Sequence, residues 1–405
     1  MTTKTFGRRG TVAPAPRAAF QPVARPVAPV VVPDCAETPT DEETLFHGNK
    51  LLADIPCVTI VLVVALLLIF ALERRLALDI GPDGSLDLRS LIAYGGSSYD
   101  LVVGRREWWR IGLAPLLHGS EGHLIGNCIA LFIVGIRLEW LVGRGWLTLI
   151  FFVSALAGAV GSLLGNPHGV VSVGASGAIT GLIAALFIAS FDPQAESTQM
   201  ISRLKMSLFF GVPALLPLAL GASGNTDYYA HAGGALAGLA LAVLPWVVFW
   251  SYDSLPRIAG KTLAVASVCS LVCAGFAASR YASYMADAAH YIRASEMPVT
   301  AEQIVRRSAD LVSRYPRDPR GHLFHAISLI EQRRFAIAET EARAAMTLAA
   351  SDVAGGPVRS GASALMAMIL LVQGRESEAK VMAAESCDTK VSEVRRMLKK
   401  TKLCA

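Results

Sequence analysis

The stretch Gly174-Ala175-Ser176-Gly177-Ala178-Ile179-Thr180-Gly181 sets a hydroxyl between glycines at the start of an apolar run that continues to Phe191. A run of that length and polarity reads as a membrane helix, where one serine needs no explanation. Two further polar elements stand in equally apolar surroundings, His118…His123…Asn127 upstream and Ala230-His231-Ala232-Gly233-Gly234 downstream. Polar and ionisable side chains inside a bilayer are costly and mark function. A serine, histidines and an asparagine in separate spans point to hydrolytic chemistry carried out within the membrane.

The surrounding chain supports the membrane reading. Its 405 residues are 53% hydrophobic and 17% charged, too apolar for an ordinary soluble protein. Apolar stretches run over Pro56–Leu72, His123–Val142, Trp146–Gly165, Gly174–Phe191, Ser207–Gly221, Tyr228–Trp250 and Thr262–Ala278. Most approach the roughly 20 residues that a helix needs to cross a bilayer, and Pro213 and Pro217 interrupt the fifth. Seven spans predict an all-α polytopic membrane protein. The first apolar run begins only near Ile55, so it is expected to stay in the membrane as a signal anchor rather than be cleaved.

Short-loop charge sets the expected orientation. Arg137 and Arg144 flank the second-to-third connection, Arg203 and Lys205 precede the fifth span, and Arg257 and Lys261 follow the sixth. With alternating spans these fall on one side, which is then cytoplasmic, together with an N-terminus carrying Arg8, Arg9, Arg17 and Arg25. The long connection from Glu73 to Ser120 lies outside, although it carries Arg74, Arg75, Arg105 and Arg106. A bacterial inner membrane is the expected location. The formal charge of +5, with no basic stripe interleaved with aromatics, gives no sign of nucleic-acid binding.

Residues 1–55 are rich in proline and arginine and poor in aromatics, and predict a disordered cytoplasmic tail. Residues 56–279 form the transmembrane domain. Residues 290–405 turn soluble and helical: Ala326, Leu329, Arg333, Ala338 and Ala342 recur as Ala367, Leu370, Gly374, Ala379 and Ala383, with Ala301–Arg314 as a preceding helix. These offsets resemble tetratricopeptide repeats, which pack helical hairpins through small residues. The resemblance implies a protein-binding surface and a protein partner for this domain. Cys57, Cys128, Cys269 and Cys273 lie in apolar spans as small buried thiols, and no C-x-x-C spacing suggests a metal. Cys387 and Cys404 flank the segment Lys390–Lys400; an oxidising compartment would allow them to pair, and sequence alone favours two free thiols.

A serine hydroxyl becomes a nucleophile when a base within hydrogen-bond reach takes its proton. His231, the histidine of the sixth span, is the candidate base for Ser176. Gly177 and Gly181 give one helix a small-residue face, and Gly234 and Gly238 give the other a matching one, so the two are expected to pack closely. His123 and Asn127 lie four apart on one helix face and both donate hydrogen bonds. The Ser176 backbone N–H, free at a helix start, adds a third donor.

Trp109-Arg110, His118, His123 and Asn127, Gly174-Ala175-Ser176-Gly177, and Ala230-His231 with Gly234 and Gly238 occur in this order across Trp108 to Gly238. Together they resemble the rhomboid intramembrane serine proteases. The resemblance implies a six-helix core, extended here by a seventh helix, and a Ser176–His231 dyad. It also implies an oxyanion hole of His123, Asn127 and Ser176, an active site lined by His118, Gly174 and Gly177, and no cofactor or metal. His118 resembles a family histidine lining a water-accessible cavity, and Glu139 a position that braces loops at the cytoplasmic end. Thr180 stands where many members carry an aromatic that stacks on the catalytic histidine, and Asp227 reads as a helix cap or interface residue rather than a third catalytic member.

The substrates implied are transmembrane proteins cut in or beside the bilayer, with Trp108 and Trp109 at headgroup level. A non-catalytic relative that captures membrane clients is the rival, although it would lack the nucleophile or base. A metalloprotease would want H-E-x-x-H, and a zinc site from His118, His123 and His231 would lack a nearby carboxylate. A transporter would want repeated spans or an ionisable pathway, and neither is visible.

Overall fold

The computed structural model describes residues 55–166, 168–192, 194–219, 226–249, 258–387, 392–401 and 403–404, so the expected tail lies outside the described residues except for Ile55. Among them every regular element is a helix, joined by two isolated backbone bridges, Ile80 with Leu86 and Ser97 with Ser172. The membrane part comprises α1 (Cys57–Leu76), α2 (Leu88–Tyr94), α3 (Glu121–Gly165), α4 (Ser176–Ala189), α5 (Ser197–Ala219), α6 (Tyr228–Phe249) and α7 (Ala259–Ala288).

The second and third expected spans emerge as one element, α3, broken at Gly143 with φ 79° and ψ 166°. Only glycine takes that conformation without strain. In one straight helix Asn127 and Gly158 would stand about 46 Å apart. Both instead approach the start of α4: a Cβ on Gly174 would lie 3.6 Å from Asn127 Nδ2, and one on Gly177 would lie 3.4 Å from the Gly158 Cα. The two arms of α3 therefore fold back on each other at Gly143. Near that turn Glu139 accepts hydrogen bonds from the Val58 and Thr59 amides at 3.0 and 2.8 Å, and from the Thr59 hydroxyl at 2.7 Å. The buried carboxylate thus satisfies donors that the start of α1 would otherwise leave open.

Helix α4 occupies the centre, with Ala178, Leu182, Ala185 and Leu186 at most 1% exposed against α3 and α6. Helices α5 and α7 lie at the rim, with only 6% of their apolar windows buried within the protein. Their exposed leucines, valines and phenylalanines need lipid as solvent, and the chain is an integral, multi-pass membrane protein. The fifth span begins at Ser197 rather than Ser207 and runs through both prolines. The seventh reaches Ala288 rather than Ala278, carrying Tyr281 and Tyr284 beyond the apolar window.

The C-terminal part continues through α8 (Ala301–Arg314), α9 (Pro319–Glu331), α10 (Phe335–Ser351), α11 (Gly356–Val372), α12 (Glu376–Cys387) and α13 (Ser392–Lys400). Consecutive helices pack in pairs. Ala326, Ala338 and Ala342 seal the α9–α10 hairpin, and Ala367, Ala379 and Ala383 the α11–α12 hairpin, all fully buried. Arg333 and Gly374 end α9 and α11 in the same left-handed conformation, φ 59° and 77°. Cys387 and Cys404 form a disulfide with Cα atoms 5.6 Å apart, against the expectation of free thiols. The chain returns from α13 to bring both into the cluster around Leu398 and Leu403, a closure that spacing does not reveal.

Candidate active site

Helix α4 is only 14 residues long. That is about 21 Å, short of the roughly 30 Å hydrocarbon core. Residues 170–175 before it are non-helical, and Ser176 opens the helix. As the first helical residue it has an N–H without an intrahelical partner, and its side chain is half-buried.

Helix α6 meets α4 backbone to backbone. A Cβ on Gly234 would overlap the Gly177 carbonyl, one on Gly238 would overlap the Gly181 carbonyl, and one on Gly177 would lie 3.1 Å from the Ala230 oxygen. The residue after Ser176 thus touches the residue before His231. His231 is 7% exposed. Its Nδ1 lies 2.9 Å from the Ala214 carbonyl oxygen on α5. A carbonyl only accepts, so Nδ1 carries the proton and Nε2 keeps a free lone pair. The Tyr228 ring meets the imidazole edge-on, 5.9 Å between centres. The Thr180 hydroxyl donates to the His231 carbonyl oxygen at 3.1 Å and to that of Gly177 at 2.8 Å, so the residue sits between the two helices.

His123 and Asn127 reach the same place from α3. Gly174, at φ 124°, passes so close that a Cβ there would stand 2.5 Å from His123 Cε1 and 2.8 Å from Nε2. Asn127 Nδ2 lies 2.9 Å from His118 Nε2. An amide nitrogen has two hydrogens; with one donated to His118, the other remains for the space beside Gly174. His118 is 0% exposed and packs edge-on to His123, ring centres 5.2 Å apart. Its ring is thus enclosed by the protein, and its backbone N–H donates to the buried Glu73 carboxylate at 3.2 Å. Arg110 is fully buried, donating to Glu107 at 2.6 Å and to the Ile92 and Gly96 carbonyls at 2.6 and 2.9 Å.

Asp227 caps α6 by accepting from the Ala230 amide at 3.0 Å, and its other oxygen accepts from the hydroxyls of Ser162 and Ser172 at 2.5 and 2.6 Å. Sequence reasoning missed Ala214 and Glu73. A backbone carbonyl has no residue-type signature, while Glu73 sits among the arginines at the end of α1 and reads as a surface charge. Among the described residues no group of three His, Cys, Asp or Glu side chains is arranged to hold a metal ion.

Comparison with known proteins matches residues 105–247 to the rhomboid domain family. The chain is 30% identical to rhomboid protease GluP of Bacillus subtilis over 39% of its own length, and 29% identical to rhomboid protease AarA of Providencia stuartii over 38%. It spans 30% and 61% of those two proteins. It is also 30% identical to YdcA of Bacillus subtilis, over 36% of this chain and 72% of that one.

Proposed function

The chain belongs to the rhomboid family, and on that premise we propose that it is a serine endopeptidase cleaving transmembrane proteins through a Ser176–His231 dyad. The carrying observation is the His231 imidazole, with Nδ1 bound to the Ala214 carbonyl at 2.9 Å, on a helix in backbone contact with the one that Ser176 starts. The Ala214 carbonyl does for His231 what a carboxylate does in a triad, fixing tautomer and ring direction.

Ser176 Oγ attacks the scissile carbonyl carbon while His231 Nε2 takes the hydroxyl proton. The carbonyl oxygen becomes an oxyanion, received by the Ser176 N–H, the free hydrogen of Asn127 Nδ2 and His123. Collapse of the intermediate breaks the C–N bond, and His231 returns the proton to the departing amine. Water then adds to the acyl-enzyme with His231 again as base, which frees the new carboxylate and restores Ser176. The half-buried hydroxyl suits a substrate strand that unwinds into the site, so small or helix-breaking residues are expected near the cut. Positive charge at Arg137, Arg144, Arg203 and Lys261 supports a cytoplasmic N-terminus and an active site opening to the other side.

Comparing membrane proteins of cells that carry the native chain and the Ser176→Ala chain tests the reading. Fragments present only with Ser176 identify substrates. A Ser176→Ala chain that yields the same fragments removes the nucleophile and leaves a client-binding role.

A further inference from the structure

The loop that leads into Ser176 is gripped by residues outside the family domain. Asp352, between α10 and α11, accepts a two-pronged hydrogen bond from Arg89 of α2 at 2.8 and 2.5 Å. The two side chains are only 4% and 8% exposed, and the Arg89 guanidinium lies 3.5 Å from the Tyr291 ring centre. Removing one partner of such a pair strands a buried charge, so this contact is a built one. Beside it, Gly356 starts α11 so close to the loop that a Cβ would overlap the His168 carbonyl. On its other side the loop is tied down by Asp100, which lies 2.8 Å from His168 Nδ1 and accepts from the Gly169 amide at 2.8 Å.

From there the contact runs to both reacting residues. Val171 packs with Ile92, Leu101 and Ala354 in one small apolar cluster. Ser172 pairs with Ser97 through backbone bonds of 2.7 and 3.0 Å, and its hydroxyl reaches Asp227, the cap of the helix that carries His231. The Gly174 amide donates to the Ala114 carbonyl at 3.0 Å, and Ser176 follows two residues later.

We propose that the C-terminal helical domain is a positioning element of the active site: anchored on α2 by Asp352 and set against the 168–172 segment by Ala354 and Gly356, it clamps that segment and so sets Ser176 against His231. This rests on the assignment of those two residues. The domain face that carries Asp352 and Gly356 is occupied by its own protease core, and its role there is to fix geometry rather than to collect substrate.

The test uses the full-length protein in lipid vesicles, with two readouts: the rate of covalent labelling of Ser176 by a small fluorophosphonate, and kcat and KM for a transmembrane peptide. Asp352→Asn keeps shape and removes charge, Gly356→Val drives a side chain at the His168 carbonyl, and Asp352→Glu is the conservative variant. Both disruptive variants are expected to slow labelling about tenfold or more, because misplacing a reacting group by ~1 Å costs on the order of a hundredfold. They are expected to lower kcat with KM moved less than about twofold, and Asp352→Glu to recover part of the loss. Amide exchange over 168–176 should quicken in Asp352→Asn, which checks the clamp even where a variant turns over poorly. Glu378→Gln, at an exposed side chain paired with Arg375, should match the native protein. A native chain that takes no label at Ser176 refutes the dyad. A native chain that labels, with both variants labelling and exchanging at its rate, overturns the clamp. A rise confined to KM also overturns it and makes the domain a recruiting surface.

Discussion

Asn127 holds two hydrogens and spends one on His118 Nε2, 2.9 Å away, so the contribution to an oxyanion proposed for it would depend on His118. Asn127→Ala is expected to keep measurable activity, reduced on the order of 10²-fold as for loss of one donor. His118→Ala is expected to lower kcat less, with KM nearly unchanged; native turnover in either variant removes that residue from the site. Ser176→Ala and His231→Ala should each abolish cleavage, and the double variant should be no worse than either, because residues that act as one unit are not additive. Sequence spacing names these side chains because the chemistry demands a hydroxyl, an imidazole and amide donors in apolar spans. It does not name Ala214, whose functional atom is a backbone oxygen on α5, or Glu73, whose burial depends on how the loop before α3 folds over it.

At the scale of elements, the four glycines of the α4–α6 crossing state their purpose in sequence, since small residues on two apolar helices predict a close approach. Gly238→Ala puts a methyl on the Gly181 carbonyl. It is expected to destabilise by about 1–3 kcal/mol or more, the cost of overpacking, and a thermal midpoint equal to the native value would contradict that contact. Helix ends are less legible. Pro213 and Pro217 suggest a broken fifth span, yet α5 runs through both, as membrane-spanning helices tolerate prolines that would break a helix in water. The C-terminal repeat is legible in its alanines and also in its ends: Gly374 takes φ 77° freely, whereas Arg333 takes φ 59° under strain. Arg333→Gly is expected to raise stability by about 1 kcal/mol, read from denaturant unfolding. Destabilisation would show that the Arg333 side chain matters more than its backbone.

Across the whole molecule, α1, the arms of α3, α4, α5, α6 and α7 alternate in direction, so the loop before α3, the 166–175 loop and the C-terminal domain share one end. That end is the non-cytoplasmic one if the basic residues at the other end face inward, and a membrane-impermeant protease should then remove the domain from intact cells or spheroplasts. The Cys387–Cys404 disulfide fits an oxidising compartment, and closing that loop contributes about 3 kcal/mol in the chain-entropy model. A Cys404→Ser chain should lose the mobility shift seen on reduction. The clamp has its own pH signature. Burial opposes ionisation of Asp352, and the hydrogen bonds and charge of Arg89, with the Ala354 amide and the charge of Arg320, outweigh it, holding the carboxyl below its usual range. A depressed carboxyl contributes its stability above the unfolded value of about 3.9 and loses it as pH falls through the lower folded value. Amides of residues 168–172 should therefore stay protected through neutral pH and open only in stronger acid; loss of protection near pH 6 would contradict the ion pair.

The central claim, that His231 activates Ser176, is tested most directly by peptide mapping of the vesicle-embedded protein after fluorophosphonate treatment. The account predicts one adduct, on Ser176, absent from Ser176→Ala and formed in His231→Ala more slowly by about 10²–10⁴-fold, the usual worth of a general base. An adduct on another residue, or labelling of Ser176 in His231→Ala at the native rate, would contradict it.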